Sequence, residues 1–249
     1  MAFTYKSEAI ILKRWDYKEQ DRMVRLLTRD HGKVTCRAIS ARKTTSKLAG
    51  HLEPFICTEA FFARSKTIDI IAGSNTVTSN ARLRQSMEHY AIAGYFVEIV
   101  DRWVQERDTD TPVFEHVQQF LEWENTHEAN TLVFVAAVLQ LFGLFGYKMD
   151  LYNCHSCQKP VKPTGSKFHF QLWNVECVDC TSPEHTMPLS AEVIKVLRFL
   201  NANDFDTIAR LHVPEKQWIE LHVFLRALLQ YHNGAELKSE STFLSLLRA

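Results

Sequence analysis

The sequence predicts an α+β protein in which a small β-barrel precedes an α-helical domain that carries an inserted, cysteine-rich loop. Three observations support this order. Short runs rich in β-branched and aromatic residues fill the first 80 positions, a helical spacing of apolar residues follows, and two Cys-x-x-Cys pairs interrupt the second half. The expected boundaries are 1–80 for the barrel, 81–249 for the helical domain and 150–188 for the insertion within it.

Five candidate strands account for the first 80 residues: "EAIILKR", "MVRLLTR", "KVTCRAI", "FICTEAFFAR" and "TIDIIAGSNTV". Turn signals around Gly32 and Ser65 predict hairpins. Five short strands fit a closed barrel of the OB-fold type better than an open sheet, because closure leaves no bare strand edge. An SH3-like barrel is the alternative.

Helical periodicity begins after residue 80. Apolar residues at three- to five-residue intervals predict an amphipathic helix whose core side holds Leu83, Met87, Tyr90, Tyr95, Ile99 and Trp103. The next helix is expected to start with Thr111 as its N-cap and Pro112 at its first helical position.

The later helices are read from composition. The run from Leu132 to Phe145 is too short to span a bilayer and is interrupted by Gln140, so it predicts a buried core helix. "LSAEVIKVLRFL" and "EKQWIELHVFLRALLQYHNG" predict two more, the last ended by Asn233-Gly234. The expected inner stripe of that last helix is Trp218, Leu221, Leu225, Leu228 and His232.

The N-terminal segment mixes acidic and basic residues and has no apolar stretch followed by a cleavage site, which predicts a cytoplasmic protein without a membrane association. Six cysteines in a reducing compartment are not expected to form disulfides. Cys36 and Cys57 are therefore interpreted as core residues, and the paired cysteines as metal ligands.

Two Cys-x-x-Cys pairs, separated by 19 residues, have the spacing of a four-cysteine zinc site. The predicted ligands are Cys154, Cys157, Cys177 and Cys180. Four protein ligands leave no open position for water or substrate, so the zinc is expected to be structural. The alternatives are free thiols, or a site in which His155 or His169 replaces one cysteine.

Charge is distributed unevenly along a chain whose net charge is zero. Residues 1–80 hold 14 basic and 8 acidic side chains, whereas the remainder holds 15 basic and 21 acidic ones. This split predicts that the first domain faces a polyanion.

The stretch from His31 to Leu52 contains five cations and no carboxylate. Its cations are Lys33, Arg37, Arg42, Lys43 and Lys47, and they are candidate contacts to a single-stranded nucleic acid, because the flexible cations of the Ser/Thr-rich part, Arg42, Lys43 and Lys47, suit phosphate oxygens. The strand residues Arg14, Arg22 and Arg25 could extend them into a stripe, with Trp15, Tyr17 and Phe62 stacking on bases. A solvated basic loop without a ligand is the alternative.

Motifs of common catalytic sites are absent from the sequence. The 8 glycines form neither G-x-G-x-x-G nor a P-loop, and neither H-E-x-x-H nor G-x-S-x-G occurs. The protein is therefore predicted not to be an enzyme. A metal-dependent hydrolase, which needs an open coordination position, and a zinc-containing RNA-binding module remain as rival functions.

Several segments resemble one protein family. "RWDYKEQDRMVRLLTRDHGKVTCRAISARKTTSKLAGHLEPF" resembles the N-terminal barrel of RecO, the bacterial recombination mediator and DNA-repair family. It includes the family's D-Y-x-E-x-D-R pattern as Asp16, Tyr17, Glu19, Asp21 and Arg22. "AIAGYFVEIVDRWVQE", "LFGLFGYKMDLYNCHSC" and "GAELKSESTFLSLL" resemble later parts of the family. One departure is that Leu172, Trp173 and Asn174 stand where many members have a glycine pair before the second cysteine pair.

The resemblance implies an N-terminal OB domain, a helical domain and, in many members, a zinc-binding insertion. It implies binding of single- and double-stranded DNA, with Lys33, Arg37, Arg42, Lys43 and Lys47 as the DNA-binding residues. It also implies annealing of strands coated with single-stranded DNA-binding protein, and loading of RecA together with RecR, with RecF as a functional partner. It also implies a nucleoid-associated location. The acidic tail of single-stranded DNA-binding protein would bind an apolar pocket of the helical domain, with Arg102, Arg107, Arg198, Arg210 and Arg226 as candidate rim residues.

Overall fold

The structure is a computed structural model that describes residues 4–161, 166–180, 184–234 and 236–246. Residues 162–165 and 181–183 of the predicted insertion lie outside the described residues. The chain forms two compact units, described separately below. The barrel unit comprises Met1–Ala129 with Leu237–Ala249, and the cysteine unit comprises Asn130–Glu236. The helical part expected at 81–249 is thus shared between the two units.

Five strands form a closed barrel in the barrel unit: β1 (Thr4–Tyr17), β2 (Asp21–Thr28), β3 (Gly32–Ala38), β4 (Cys57–Ala63) and β5 (Asp69–Thr78). Their order around the barrel is β1-β2-β3-β5-β4, and only the β3–β5 pairing is parallel. This is an OB-like barrel, so the predicted fold class is confirmed.

Both predicted hairpins are present. Gly32 has a φ of +64°, and a Cβ at this position would lie 2.2 Å from the backbone oxygen of Asp108, so the turn between β2 and β3 requires glycine. Inward-facing side chains of alternating residues fill the barrel with an apolar cluster that includes Cys36 and Phe62. Phe62 is fully buried and its ring stacks on Tyr5, which corrects its predicted role in base stacking.

Four helices complete the barrel unit: α1 (Arg82–Gln85), α2 (Met87–Trp103), α3 (Thr111–Thr126) and α8 (Glu240–Leu246). Within α2, Tyr95 and Ile99 are buried as predicted, but Met87 and Tyr90 are exposed. At about 100° per residue, a five-residue step turns the helix by about 140° beyond a full turn. Tyr90 and Tyr95 therefore lie on different sides of α2, which is why the prediction failed at Tyr90.

The start of α3 differs from the prediction by one residue. Asp110 is the N-cap, and its carboxylate accepts a hydrogen bond from the backbone N–H of Val113 at 3.1 Å. Thr111 is therefore the first helical residue and Pro112 the second. A carboxylate next to the positive end of the helix dipole is a favourable cap, which accounts for the earlier start.

The cysteine unit contains α4 (Thr131–Leu144), three short strands and three later helices. These are β6 (Ser166–His169), β7 (Asn174–Glu176), β8 (Thr186–Leu189), α5 (Ala191–Ala202), α6 (Phe205–Ala209) and α7 (Glu215–Asn233). The strands form an antiparallel sheet in the order β7-β6-β8.

Helix α4 is almost completely buried, as predicted for a core helix. No helix among the described residues combines the length and the apolar character needed to cross a membrane. Helix α7 ends at Gly234, whose φ of +66° confirms the predicted stop. Its inner side holds Leu221, Leu225 and Leu228 as predicted, whereas Trp218 and His232 are only half-buried.

Candidate metal centre and nucleic-acid interface

The structure brings the sulfur atoms of Cys154, Cys157, Cys177 and Cys180 within 4.8 Å of one another. One pair lies in a turn closed by a hydrogen bond from Gln158 N to Cys154 O, and the other in a turn after β7. The sulfurs of Cys157 and Cys177 are 3.9 Å apart. Tetrahedral zinc with Zn–S bonds of about 2.3 Å places its sulfurs about 3.8 Å apart, so the donor set and its spacing fit this ion.

The electrostatics of the cluster also suit a cation. Burial raises the pKa of Cys154, but the backbone N–H groups of Cys157, Cys177 and Ser156 outweigh it and lower the value to about 7. Hydrogen bonding to Cys177 raises the pKa of Cys180 to about 12. One cysteine therefore becomes a thiolate while its neighbours keep their protons. A bound divalent cation would allow several thiolates to coexist.

Histidine does not join this cluster among the described residues. His155 is exposed, and its ring lies 3.4 Å from the side-chain nitrogen of Asn174. His169 is buried in β6, and its Nδ1 has no hydrogen-bond partner within the described part of the chain. The geometry thus favours the four-cysteine set over the mixed cysteine–histidine alternative.

The departure from the family pattern at Trp173 is accommodated in the hairpin between β6 and β7. Trp173 has a φ of +52°, which is strained for a bulky residue. Its buried ring stacks on His232 at 4.4 Å and meets Phe142 edge-on at 5.0 Å. This packing holds the unfavourable conformation in place, and β6 and β7 remain paired from Lys167–Glu176 to His169–Asn174.

The second candidate site is the basic loop, defined as residues 39–48 between β3 and β4. Arg42, Lys43 and Lys47 are exposed there. Arg42 lies 3.4 Å from Asp16 and donates to the carbonyl of Lys18 at 3.1 Å. Within the described residues, the ammonium groups of Lys43 and Lys47 have no ion-pair partner. These three residues therefore present positive charge to solvent.

The other two predicted DNA-binding residues lie in β3 and are already paired. Lys33 is buried, and its ammonium donates to the backbone carbonyl of Asp101 and lies 3.5 Å from its carboxylate. Burial lowers the pKa of Lys33, although Asp101 opposes the shift. Arg37 is half-buried and donates to Asp21 at 2.8 Å. DNA contact by these two residues remains a prediction.

Two exposed aromatic rings flank this region on the outer face of the barrel. Trp15 and Tyr17 are each 38% exposed and, two residues apart in β1, point to the same side of the sheet. The charged groups of Lys13 and Arg25 lie 5.9 and 5.8 Å from the Trp15 ring. Lys18 and Arg37 are similarly placed beside Tyr17. Aromatic rings beside cations are typical of surfaces that stack bases of single strands.

Comparison with known families covers both parts of the chain. The family model described as "Recombination protein O N terminal" matches residues 1–80, and "Recombination protein O C terminal" matches residues 84–241. The chain belongs to the RecO family. This membership places it in DNA repair and recombination.

Individual RecO proteins are similar over nearly their whole length. A "DNA repair protein RecO" of Dehalococcoides mccartyi is 33% identical over 246 residues, which cover 98% of this chain and 97% of that protein. A protein of the same name from Roseiflexus sp. is 31% identical and covers 91% of this chain and 80% of its own length. The Bacillus subtilis protein is 24% identical, with 94% and 92% covered.

In this RecO-family chain, the strand cations on the outer face of the barrel are bound to carboxylates. Asp101 of α2 accepts Lys13 at 2.8 Å and Arg25 at 3.0 Å, besides its contact with Lys33. These hydrogen bonds and charges lower the pKa of Asp101 against the raising effect of burial. Arg14 pairs with Glu53 at 2.6 Å. Arg14 and Arg25 of the predicted stripe are thus paired within the protein, and DNA contact by them remains a prediction.

Sequence reasoning missed these pairs because it divided the charges at residue 80. Residues 81–129 hold 10 acidic and 4 basic side chains, and they fold into the same unit as the barrel. The whole barrel unit contains 20 basic and 19 acidic residues. The acidic excess of this neighbouring segment was the signal that could have predicted internal neutralisation.

The barrel unit of this RecO-family chain also contains a cavity of about 490 Å³. Apolar side chains such as Leu12, Phe55, Tyr90 and Val97 line it, and its cations are Lys13, Arg14 and Lys238. Two carboxylates, Glu98 and Asp101, also line it, and both oxygens of Glu98 accept backbone N–H groups of residues 238 and 239. Nη1 of Arg14 has no hydrogen-bond partner within the described residues. The cavity therefore combines apolar walls with three cations, two of which, Lys13 and Arg14, are paired with Asp101 and Glu53.

The five predicted rim arginines do not line this cavity. Arg107 pairs with Asp69 at 2.8 Å, Arg226 with Glu236 at 3.3 Å, and Arg198 donates to the carbonyl of Leu151 at 3.0 Å. The cations at this cavity come from β1 and from the segment before α8. These two segments are far apart in the sequence, so no local pattern connects them.

Proposed function

We propose that this RecO-family chain is a non-enzymatic recombination mediator. It binds single- and double-stranded DNA through the barrel, anneals complementary strands coated with single-stranded DNA-binding protein and, with RecR, helps to load RecA. RecF would act with it in the same process. The observation that carries this proposal is the conjunction of the exposed basic loop with the exposed rings of Trp15 and Tyr17 on one OB-like barrel.

Annealing on this surface needs no bond-making residue. Cations of the basic loop neutralise phosphates and so reduce the repulsion between two strands. Aromatic stacking holds bases without reading their sequence, because every base offers a π-face. Bases that stay unpaired but accessible can then meet a complementary strand.

Salt dependence can count the cations that take part. Each contact with a single-stranded phosphate contributes about −0.7 to the slope of log affinity against log salt, so contacts by Arg42, Lys43 and Lys47 alone give about −2.1. Participation by Lys33 and Arg37 as well would give about −3.5. A flat response would remove the basic loop from the mechanism.

Zinc bound by Cys154, Cys157, Cys177 and Cys180 is proposed to be structural. When bound, the ion would supply a closed tetrahedral cross-link between the turn that precedes β6 and the turn that follows β7. Since all four positions belong to protein sulfurs, the site has no place for a reacting water. This arrangement supports the non-enzymatic function over a metal-dependent hydrolase.

The cavity beside β1 and α2 is the proposed site for the tail of single-stranded DNA-binding protein. Its apolar walls suit a hydrophobic chain end, and Lys238 suits an acidic group. A tail peptide should bind the native chain and bind at least about tenfold more weakly to Lys238→Ala, if one charge-assisted contact of about 1.5–3 kcal/mol is lost. Lys216→Ala, an exposed lysine in the other unit, is the matched control.

The central experiment measures annealing of complementary oligonucleotides coated with single-stranded DNA-binding protein. The native chain is compared with an Arg42→Ala/Lys43→Ala/Lys47→Ala variant. A Lys148→Ala/Lys195→Ala/Lys216→Ala variant removes the same charge from exposed positions elsewhere. We expect the loop variant to lose annealing while it stays folded, and the control variant to keep it.

Failure of the native chain on both coated and bare strands would contradict the mediator function. A competition between matched DNA and RNA oligonucleotides then tests the zinc-containing RNA-binding alternative. A preference for RNA would indicate that the surface senses the 2′-hydroxyl.

A further inference from the structure

Asp21 lies at the first residue of β2, directly after the turn that joins β1 to β2, and its side chain is buried. One carboxylate oxygen accepts both Nε and Nη2 of Arg37, the former at 2.8 Å. The other accepts the backbone N–H of Ser40 at 2.8 Å. Both oxygens are thus bound to β3 and to the start of the basic loop.

Ser40 is the residue at which the chain turns from β3 into the basic loop. Its φ of +55° is a left-handed conformation that a non-glycine residue adopts only when its surroundings hold it there. Beyond it, Arg42 donates its backbone N–H to Gln20 O at 3.0 Å and its guanidinium to Lys18 O. The turn at residues 18–21 therefore holds the basic loop at its base.

We propose that Asp21 is a positioning residue that directs the basic loop toward nucleic acid. The inference rests on the proposed DNA-binding function. Asp21 itself is buried and anionic, so it does not bind phosphate. It acts through Ser40, and thereby sets the direction in which Arg42, Lys43 and Lys47 leave the barrel. Hydrogen bonds from Ser40 N–H and Arg37 lower the pKa of Asp21, so the carboxylate stays ionised.

An effect of net charge and an effect of loop positioning would change DNA affinity in opposite directions when Asp21 is removed. Removing an acidic side chain near a phosphate-binding loop should strengthen DNA binding if only the electrostatic field matters. If Asp21 positions the loop, its removal weakens binding despite the more positive charge. The sign of the change therefore separates the two explanations.

Asp69 provides a matched control. It is the first residue of β5, is buried, and accepts hydrogen bonds from Arg107 at 2.8 Å, from the backbone N–H of Ser65 at 3.1 Å and from the Tyr5 hydroxyl at 2.7 Å. This repeats the arrangement of Asp21 without a contact to the basic loop. Loss of either aspartate should disturb the fold in a similar way, but only loss of Asp21 should release the loop.

The experiment measures fluorescence anisotropy of a labelled single strand over a salt series. We expect Asp21→Ala to bind about tenfold more weakly, with a salt slope shallower by about 1.4, which corresponds to two lost phosphate contacts. Asp21→Asn, which keeps an oxygen for Ser40 N–H, should retain most of the affinity. Asp69→Ala should bind like the native chain. Trypsin should cleave after Arg42, Lys43 and Lys47 faster in Asp21→Ala than in Asp69→Ala.

Equal losses in Asp21→Ala and Asp69→Ala, or tighter binding by Asp21→Ala, would overturn the proposal. If Asp21→Ala does not fold, Asp21→Ser and Asp69→Ser, whose shorter side chains lack the carboxylate, replace the two alanine variants; faster trypsin cleavage of the loop in Asp21→Ser supports the proposal, and equal cleavage rejects it. If the native chain does not bind DNA, the proposed function fails. The comparison of cleavage rates then still decides whether Asp21 holds the loop.

Discussion

The outer sheet face of the barrel and the basic loop both carry cations, but they use them differently. On the sheet, Lys13, Arg25 and Lys33 converge on Asp101. In the loop, Lys43 and Lys47 extend into solvent without an ion-pair partner among the described residues. The first group stabilises the contact between α2 and the barrel, and the second is available to a ligand.

This difference shows that the number of basic residues is a poor guide to a DNA-binding surface. A cation held in a buried pair must lose its partner before it can bind phosphate, and that loss is costly. An exposed lysine gains a phosphate contact at little cost beyond side-chain entropy. Pairing, more than composition, therefore separates the residues that hold the barrel unit together from those proposed to bind DNA.

If the cysteine unit holds zinc as proposed, removal of the ion should produce the largest effect and should leave both groups of cations unchanged. At free zinc about 1,000-fold above its Kd, binding stabilises the cysteine unit by about 4 kcal/mol. Cys154→Ser/Cys157→Ser should lose this stabilisation in denaturant unfolding, and its stability should no longer respond to added zinc. Cys36→Ser, at a cysteine in the barrel core, controls for thiol loss elsewhere. Zinc-dependent stability in the double variant would contradict the ligand assignment.

Breaking the sheet network should produce the next largest effect. Asp101→Ala leaves partly buried cations without their shared partner, so we expect a loss of about 3 kcal/mol in the free energy of unfolding. DNA affinity should fall little when the protein is folded, because the loop is not attached to Asp101. Glu59→Ala removes an exposed partner of Lys6 and should cost less than about 1 kcal/mol. A strong loss of DNA affinity in folded Asp101→Ala would show that the sheet network and the basic loop act as one DNA-binding site.

Much of this contrast could not be read from the sequence. Strand positions, the barrel and the four cysteines were predictable because alternation, turn residues and Cys-x-x-Cys spacing are local signals. Asp101 lies 76 residues from Arg25, and no local pattern connects them. The same applies to the Asp21–Ser40 contact, which depends on how β2 and the loop meet. Long-range pairing thus decided which predicted DNA-binding residues remained accessible.

Trp15 lies beside the paired network, since the charged groups of Lys13 and Arg25 flank its exposed ring. If bases stack on this ring, Trp15→Ala should weaken single-strand binding by about 2 kcal/mol, or roughly 30-fold, whereas Trp15→Phe should retain most of the affinity. Tyr231→Ala removes an aromatic ring of equal exposure, 38%, from the cysteine unit. Comparable losses in Trp15→Ala and Tyr231→Ala would show that the barrel ring has no special role.

Acid should destabilise the barrel unit, because the carboxylates that bind its cations become protonated. The pKa values of Asp101, Asp69 and Asp21 are all lowered in the folded barrel unit. A carboxyl whose folded pKa lies below its unfolded value stabilises the fold above the unfolded pKa, near 4, and loses that contribution as the pH falls through the folded pKa.

The free energy of unfolding should therefore fall as the pH drops below about 4. The slope is up to about 1.4 kcal/mol per pH unit for each proton that the unfolded chain binds in excess of the native chain. Asp101→Asn should show a shallower pH dependence, because one such carboxyl is absent, and Glu59→Gln should follow the native curve. The measurement is urea unfolding between pH 2.5 and 6, the range suggested by carboxyl pKa values of about 4. Identical curves for Asp101→Asn and the native chain would mean that the Asp101 network contributes no acid-sensitive stability, and the proposed division between structural and DNA-binding cations would then lose its energetic basis.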